Sequence, residues 1–273
     1  SGGIALIQGL EARLHDQLAF SFLYRHAGIT YHATWAGSFA TDSRTNGETG
    51  WYAGIRLLPA AGITLSAYAD WFVWPWIKYQ TAAPAQGSEY LLEADIRINR
   101  RLTGYIRYKN KNREEKAVAG NLRVNTPQQS ENFRVHARYD FRDLVSLGWR
   151  IEANHCSLPE KETGVLFFQE VTWTPRKYPL SAALRLSGFQ TPSFNSRIYS
   201  YEKDLLYAFS TFSFFGEGFR AYLKIKYSFM QNLDAWLKMA GTWYPDQQNI
   251  SSGNSEIARN FLTEVKIQFR YRF

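Results

Sequence analysis

Residues 264–273 read EVKIQFRYRF, and hydrophobic and charged or polar side chains alternate along the whole segment. Successive side chains of a β-strand point to opposite faces, so this segment has one apolar face and one charged face. An α-helix would instead scatter the charges around its whole circumference. The side chains on the apolar face are Val265, Ile267, Phe269, Tyr271 and Phe273. The segment therefore predicts an amphipathic strand that ends at Phe273.

The same alternation recurs upstream, for example in residues 220–229, RAYLKIKYSF. Turn-forming residues separate the alternating segments. The predicted strands cover residues 3–13, 16–26, 50–58, 62–73, 88–99, 101–111, 132–141, 144–155, 163–174, 179–190, 204–213, 218–228, 232–244 and 260–272. The sequence thus predicts an all-β protein.

The composition limits how such a chain can meet a membrane. Its 273 residues have a formal net charge of +8 and are 16% aromatic. No run of about 20 apolar residues occurs, as a transmembrane helix would need, whereas a membrane-spanning strand needs only about 10 residues of alternating polarity. The single cysteine, Cys156, excludes an internal disulfide and a cysteine-rich metal site. The chain is therefore either soluble or spans a membrane as strands.

The predicted connections alternate in length. Short turns fall near residues 14–16, 59–62, 99–101, 141–144, 175–179 and 230–232, and long loops fall near residues 28–49, 74–87, 112–131, 191–203 and 245–259. Outer-membrane barrels have short periplasmic turns and long exterior loops. This pattern indicates an antiparallel barrel whose short turns share one rim.

Counting spans between these turns predicts one unusual connection. The turns near 175–179 and 230–232 both belong to the short-turn rim, so a single exterior connection must join the strands between them. Residues 191–217 then form one exterior excursion in which 204–213 does not span, and this excursion is the candidate for an inserted or capping loop. About 13 spans remain, whereas single-chain bacterial barrels usually have an even number. We therefore expect at least one strand upstream of Ser1.

Three features favour lipid over water on the apolar face. The predicted strands reach about 10–12 residues, whereas ordinary strands average about 5–6. Aromatic residues gather near strand ends, as in the girdles at membrane interfaces. The opposite face is charged, which suits a barrel interior that is ion-paired or filled with water. The expected interface aromatics are Trp51, Tyr52, Trp71, Trp74, Trp76, Trp243 and Tyr244. The cluster 71–76 could alternatively contact a carbohydrate or a partner.

The charged parity of the strands predicts the interior of the barrel. The charged residues expected to face the lumen are Asp70, Glu93, Asp95, Arg97, Arg107, Lys109, Arg134, Arg138, Asp140, Arg150, Glu152, Arg185, Lys224, Lys226, Lys238, Glu264, Lys266 and Arg270. A cationic excess on that face would favour anions if the pore is open.

The C-terminus resembles the signature that the barrel-assembly machinery reads in outer-membrane barrels. Phe269, Tyr271 and Phe273 are the residues that carry it.

Two stretches carry a family resemblance. One begins at residues 48–54, ETGWYAG, and continues through 65–72, LSAYADWF, and the other is residues 196–210, SRIYSYEKDLLYAFS. Both resemble the barrel region of Bacteroidetes outer-membrane proteins that carry a helix-hairpin-helix region upstream. The resemblance covers residues 45–273 and implies an outer-membrane location and a missing N-terminal part. No helix-hairpin-helix is visible in this chain, so the resemblance implies no nucleic-acid role here.

The sequence offers little for catalysis or for cofactors. A hydrolase would need Ser, His and an acid converging at one rim. Ser130, His136 and Asp140 are close in sequence but too far apart along an extended strand to touch together. His26 and His32 form a weak metal pair, and residues 110–116 are expected to be a solvated loop rather than a nucleic-acid patch. No cofactor and no metal site are predicted.

These observations predict a transmembrane antiparallel β-barrel of the outer-membrane type with about 12–14 strands. The domain covers residues 1–273 and lacks one or more N-terminal strands or a domain. The expected partners are outer-membrane lipid, the barrel-assembly machinery and other outer-membrane or periplasmic proteins, without nucleic acid. The expected function is non-enzymatic: a pore or translocation component, or a structural anchor in a larger complex. The alternatives are an outer-membrane hydrolase with its site at the exterior rim and a soluble β-sheet protein.

Overall fold

The computed structural model describes residues 2–32, 39–42, 44–142, 144–157, 160–251, 253 and 256–273. The strands are β1 (Ala5–His15), β2 (Leu18–Ala27), β3 (Glu48–Ala60), β4 (Ile63–Trp74), β5 (Ala85–Arg97), β6 (Leu102–Ala119), β7 (Leu122–Phe141), β8 (Val145–Cys156), β9 (Glu162–Trp173), β10 (Leu180–Thr191), β11 (Ile198–Glu202), β12 (Ser210–Phe214), β13 (Gly216–Met230), β14 (Leu233–Trp243) and β15 (Phe261–Tyr271). No helix in the described residues is long and apolar enough to cross a membrane.

Thirteen strands form one sheet in which each pairs with its neighbour in the chain, except that β10 pairs directly with β13. Strands β1 to β5 pair antiparallel in sequence, and so do β9, β10, β13, β14 and β15. The β10–β13 register runs from Leu180 opposite Tyr227 to Thr191 opposite Gly216. The short strands β11 and β12 form a separate two-stranded sheet. The predicted all-β antiparallel fold is confirmed, as is the single excursion between residues 191 and 217.

The predicted long loop at residues 112–131 is wrong. Strands β6 and β7 continue through this region and meet at the two residues Gly120 and Asn121. Gly120 has φ +61°, a conformation that glycine adopts without steric cost and that two-residue hairpin turns require. Polar residues occupy both faces of this hairpin, so it lacks the alternation that marks the other strands. Side-chain hydrogen bonds support it instead, such as that from Tyr108 Oη to Glu131 (2.9 Å).

The chain forms two compact units. The first unit comprises Ser1–Ile96, Ile106–Asn132 and Cys156–Lys161, and the second unit comprises Arg97–Tyr105, Phe133–His155 and Glu162–Phe273.

The second unit has its polarity reversed relative to a water-soluble protein. On β15 the side chain of Ile267 is 63% exposed, whereas Lys238 on the neighbouring strand β14 is completely buried. Lysine is among the residues least often buried in soluble proteins, and it is buried only when paired. The apolar face of these strands therefore points outward and the charged face points inward.

The first unit shows the same reversal. Trp71 and Leu92 are exposed on one face of the sheet, whereas Arg25 and Asp70 are buried on the other. The charged face thus forms a polar interior.

Candidate functional site: the polar face and its inserted hairpin

In the second unit the excursion between β10 and β13 folds onto the polar face of the sheet. Arg150 Nη1 on β8 lies 3.3 Å from Ser200 Oγ, and Arg185 Nη1 on β10 donates to the carbonyl oxygen of Tyr201 (2.7 Å). Gln268 Nε2 on β15 donates to the carbonyl oxygen of Leu206 (3.0 Å). We call residues 192–215 the inserted hairpin. It occupies the position expected of an inserted loop.

Buried ion pairs fix the inserted hairpin at Glu202. Arg220 on β13 donates twice to this carboxylate, Nε to Oε1 at 2.6 Å and Nη2 to Oε2 at 2.8 Å. Lys238 Nζ on β14 lies 3.3 Å from Oε2. The side chains of Glu202 and Lys238 are 0% exposed and that of Arg220 is 1% exposed. Bidentate, charge-assisted hydrogen bonds of this kind define one orientation of the two segments.

Asp204 is a second buried anion of the inserted hairpin. It accepts from Lys266 Nζ (2.9 Å), Lys238 Nζ (3.3 Å) and the backbone N–H of Leu205 (2.8 Å). Burial alone raises the pKa of this carboxyl, but these donors outweigh it and lower the pKa to about 2. Asp204 is therefore ionised at neutral pH and connects the hairpin to β14 and β15.

A third cluster lies around Glu170 on β9. Its carboxylate pairs with Arg185 Nη2 (2.6 Å) and with Lys203 Nζ of the inserted hairpin (2.7 Å). The guanidinium of Arg185 also lies 3.9 Å from the centroid of the Phe168 ring, in cation–π contact. The hairpin thus has polar anchors on β9 and β10 as well.

Apolar packing completes the attachment of the inserted hairpin. Its Ile198 and Phe214 form a buried cluster with Phe189 and Tyr244, among others. Tyr244 is only 8% exposed, which corrects its assignment to the membrane interface. Tyr244 directly follows β14 and is an even number of residues from Lys238 and Thr242. Its side chain therefore points to the same polar face as theirs.

In the first unit Arg25 lies at the centre of the polar face. Its guanidinium donates to Glu48 Oε1 (2.7 Å) and to both oxygens of Asp70 (2.8 and 3.1 Å). A Cβ at Gly50 would lie 2.5 Å from Arg25 Cζ, so glycine is the residue that leaves room for the guanidinium. Trp74 donates its indole N–H to Glu48 (3.1 Å) and is 2% exposed. This burial corrects the assignment of Trp74 to the membrane interface.

Two cavities lie on the polar face of the first unit. One of 520 Å³ is lined by Asp70, Glu89 and Lys109, among others, and one of 490 Å³ lies beside it. Tyr52 and Tyr68 line both cavities, so the two cavities are adjacent at these side chains. Tyr52 faces this polar interior, which corrects its assignment to the membrane interface as well.

Most of the other charged residues predicted on the polar face take part in ion pairs. Arg107 pairs with Glu93, Lys109 with Glu89, Arg134 with Glu152, Lys226 and Arg270 with Asp234, and Lys266 with Glu264. Arg138 pairs with Asp140 at an exposed position, and Asp95 and Arg97 are exposed near a short turn. Lys224 is half-buried and forms no ion pair with the described residues.

Several residues of this network were not predicted from the sequence. Glu202, Lys203 and Asp204 belong to the inserted hairpin. Burial alternates along β11, but its buried face mixes apolar, polar and charged residues, namely Ile198, Ser200 and Glu202. Arg220 could have been found, because it shares parity with Lys224 and Lys226 on β13. Arg25 stands among uncharged residues on its face of β2, so no charge pattern points to it.

His26 and His136 lie on different strands, β2 and β7, and each contacts its own neighbours. The ring of His136 lies between those of Tyr105 and Phe168, at centroid distances of 5.4 and 6.3 Å. Its Nδ1 is buried and has no hydrogen-bond partner there. His26 Nδ1 lies 2.9 Å from Thr49 Oγ1. No group of three or more metal-ligating side chains occurs in the described part of the chain.

The remaining predicted interface aromatics lie on the outer, apolar face or at the surface. Trp51, Trp71, Trp76 and Trp243 are all exposed. Trp71 Nε1 donates to Tyr90 Oη (3.0 Å), and Trp243 stacks on Phe219 at 6.0 Å. Phe269, Tyr271 and Phe273, the proposed assembly signal, are also exposed.

No protein-family model matches the sequence, and no curated protein matches it significantly. Among solved structures, the chain is similar to CdiB from Acinetobacter baumannii, with 11% identity and a TM-score of 0.49 over 99% of this chain. It spans about half of that protein, 53%. It is also similar to OmpTdeltaL8, a loop-deletion mutant of an outer membrane protein of Vibrio cholerae (11% identity, TM-score 0.43, 97% of this chain and 89% of that one). A FadL homologue of Pseudomonas aeruginosa is similar at 11% identity and a TM-score of 0.40, over 97% of this chain and 75% of that one. At these identities the likenesses assign no residue role. The strand pairing confirms the predicted all-β, antiparallel fold class.

Proposed function

We propose that this chain is the transmembrane barrel of a bacterial outer-membrane protein and that polar solutes pass along the polar face of its first unit. The observation that carries the proposal is the reversed polarity of both units. Exposed apolar side chains such as Ile267 and Trp71 would be unfavourable in water but suit lipid hydrocarbon. Most of the inward charges are paired, as is usual for charged side chains within a membrane.

The route is assigned to the first unit because its polar face leaves space. The two cavities of 520 and 490 Å³ meet at Tyr52 and Tyr68. In the second unit the inserted hairpin and its buried ion pairs occupy the polar face. We therefore expect a narrow conducting path rather than a wide pore.

Detergent dependence and heat-modifiability of the purified protein test the location. A membrane barrel needs detergent and migrates differently on an unboiled gel, because the folded barrel resists the denaturant until it is boiled. A β-rich protein that stays soluble without detergent would refute the membrane location and favour a soluble sheet.

Single-channel recording in planar bilayers tests the route. We expect small, resolvable conductance steps, and a weak preference for anions because the 490 Å³ cavity is lined by Arg13 and Arg56 but only one acid, Glu11. Complete absence of conductance would refute the route, and a cation-selective pore would contradict the charge argument.

A structural anchor is the second candidate, and the inserted hairpin favours it. A hairpin fixed by Glu202 and Asp204 fills space permanently and is suited to a closed scaffold. The anchor predicts no conductance and co-purification with other outer-membrane or periplasmic proteins.

Enzymatic activity and a relationship to the Bacteroidetes outer-membrane proteins remain predictions. An outer-membrane hydrolase would turn over lipid or peptide and lose that activity in His136→Ala. A chain of the Bacteroidetes type would be encoded with a helix-hairpin-helix region upstream.

A further inference from the structure

The 520 Å³ cavity of the first unit combines aromatic rings with charges of both signs. Its lining includes Tyr52, Tyr68, Asp70, Glu89, Lys109 and Lys111. We call it the tyrosine cavity. Its volume lies within the range of about 300–1,000 Å³ usual for small-molecule sites.

Three rings form a row beside this cavity. The ring of Phe39 lies 5.4 Å from that of Tyr52, nearly perpendicular to it, and the ring of Tyr52 lies 5.3 Å from that of Tyr68. All three residues line the cavity. Aromatic faces and edges of this kind bind apolar C–H surfaces while the tyrosine hydroxyls remain available for hydrogen bonds.

The charges that line the cavity balance. Two lysines, Lys109 and Lys111, stand against two carboxylates, Asp70 and Glu89. The carboxylate of Asp70 is already bound through both oxygens to Arg25. The lysines would attract a small anion, but the carboxylates would repel it. A small cation would be attracted by the carboxylates and repelled by the lysines. A net charge on the ligand therefore brings no clear electrostatic advantage.

One gap in the hydrogen bonding indicates what kind of group fits. Glu89 Oε1 accepts from Tyr68 Oη (2.6 Å) and lies 2.8 Å from Lys109 Nζ. Glu89 Oε2 is 3.8 Å from Lys111 Nζ, too far for a hydrogen bond, and this is the one ion-pair contact of Lys111 with the described residues. A hydroxyl group beside this pair, off the line that joins the two atoms, can donate to Oε2 and accept from Nζ at once. A carboxylate or phosphate oxygen cannot donate, and an ammonium group cannot accept.

We propose that the tyrosine cavity binds neutral carbohydrate. A sugar ring has an apolar C–H face for the row of rings and hydroxyl groups that both donate and accept. The 490 Å³ cavity shares Tyr52 and Tyr68 and adds Ser21 and Ser66, so a ligand longer than one cavity can continue across the two tyrosines. An oligosaccharide is the neutral carbohydrate that could occupy both cavities. This inference rests on the proposed function in one respect, because the cavity lies on the proposed solute route.

Isothermal titration calorimetry on the detergent-solubilised protein tests the inference. The probes are maltotriose and cellotriose as neutral trisaccharides and trigalacturonate as an anionic one of the same size. We expect saturable binding of at least one neutral trisaccharide and at least tenfold weaker binding of trigalacturonate. Lys111→Gln is expected to weaken neutral binding at least tenfold, and Tyr52→Leu, which removes the central ring, is a second variant with the same expectation.

Lys116→Gln is the matched control, because Lys116 lies on the same strand, outside the cavity, with its ammonium on the carbonyl oxygen of Tyr79 (2.8 Å). Its affinity should equal that of the wild type, and each variant is first checked for heat-modifiability. Absence of neutral-sugar binding, tighter binding of trigalacturonate, or unchanged affinity in both cavity variants would overturn the inference. Conductance without sugar binding would support the proposed route and refute the sugar site. Sugar binding without conductance would support the site and refute the route.

Discussion

Replacing Glu202 by glutamine should loosen the inserted hairpin without unfolding the sheet. The substitution keeps the size of the side chain but removes the charge that neutralises Arg220 and Lys238. Both cations are almost completely buried, with side-chain exposures of 1% and 0%. A buried cation that loses its counter-ion retains the cost of its desolvation without the compensating attraction.

The magnitude follows from the contacts. Breaking a buried pair by removing one partner costs about 3–5 kcal/mol. The lower value applies here, because Lys238 keeps Asp204 at 3.3 Å and Arg220 keeps Thr242 Oγ1 at 2.8 Å. Since about 1.4 kcal/mol corresponds to a factor of ten, about 3 kcal/mol raises the population of the undocked hairpin roughly a hundredfold.

Hydrogen exchange at the amides of β11 measures this population. Those amides pair with β12, from Ile198 opposite Phe214 to Glu202 opposite Ser210, and they are protected while the hairpin is docked. Protection of β11 should fall roughly a hundredfold in Glu202→Gln, while protection of β14 should stay the same. Glu217→Gln is the control, because Glu217 is exposed and bonds only to Gln190 among the described residues (3.2 Å).

Unchanged protection of β11 in Glu202→Gln would refute the reasoning that the ion pairs hold the hairpin. An equal loss across β11 and β14 would also refute it, because the hairpin would then unfold only together with the sheet.

Three further changes test other parts of the structure. Ile267→Lys, at a position 63% exposed, should destabilise the protein in lipid by about 2–4 kcal/mol in urea titrations, whereas a water-facing site would tolerate lysine. The pKa of Asp204 is depressed to about 2, so the stability it contributes is present above about pH 4 and should be lost as the pH falls from about 4 to 2. Protection of β11 should follow that titration. Asp204→Asn, already weakened, should show a smaller step, because the carboxylates of Glu202 and Glu170 also hold the hairpin. Removal of Phe273 should lower the yield of heat-modifiable barrel in cells but leave the stability of the assembled protein nearly unchanged, and a normal yield would argue against the assembly signal.

Local pattern predicted the strands and the face of most side chains, because alternation is a property of each strand taken alone. The same rule could have placed the three misassigned aromatics. Trp74 is four residues after Asp70 on β4, and Tyr52 is four residues before Arg56 on β3, so each shares a face with a charged residue. Clustering of aromatics was the weaker signal, since it ignores parity.

The sequence by itself determined the all-β class, the antiparallel order, about 13 spans and the excursion near residues 191–217. Only the tertiary structure decided that the excursion folds onto the polar face and that Glu202 meets Arg220 and Lys238. The physical reason is that these partners are 18 and 36 residues apart in the chain. In addition, the buried face of β11 combines Ile198 and Ser200 with Glu202, so no alternation of apolar and charged residues marks it in the sequence. The tertiary structure also decided that the first unit keeps its cavities, because empty space is set by which side chains approach one another and leaves no pattern in the sequence.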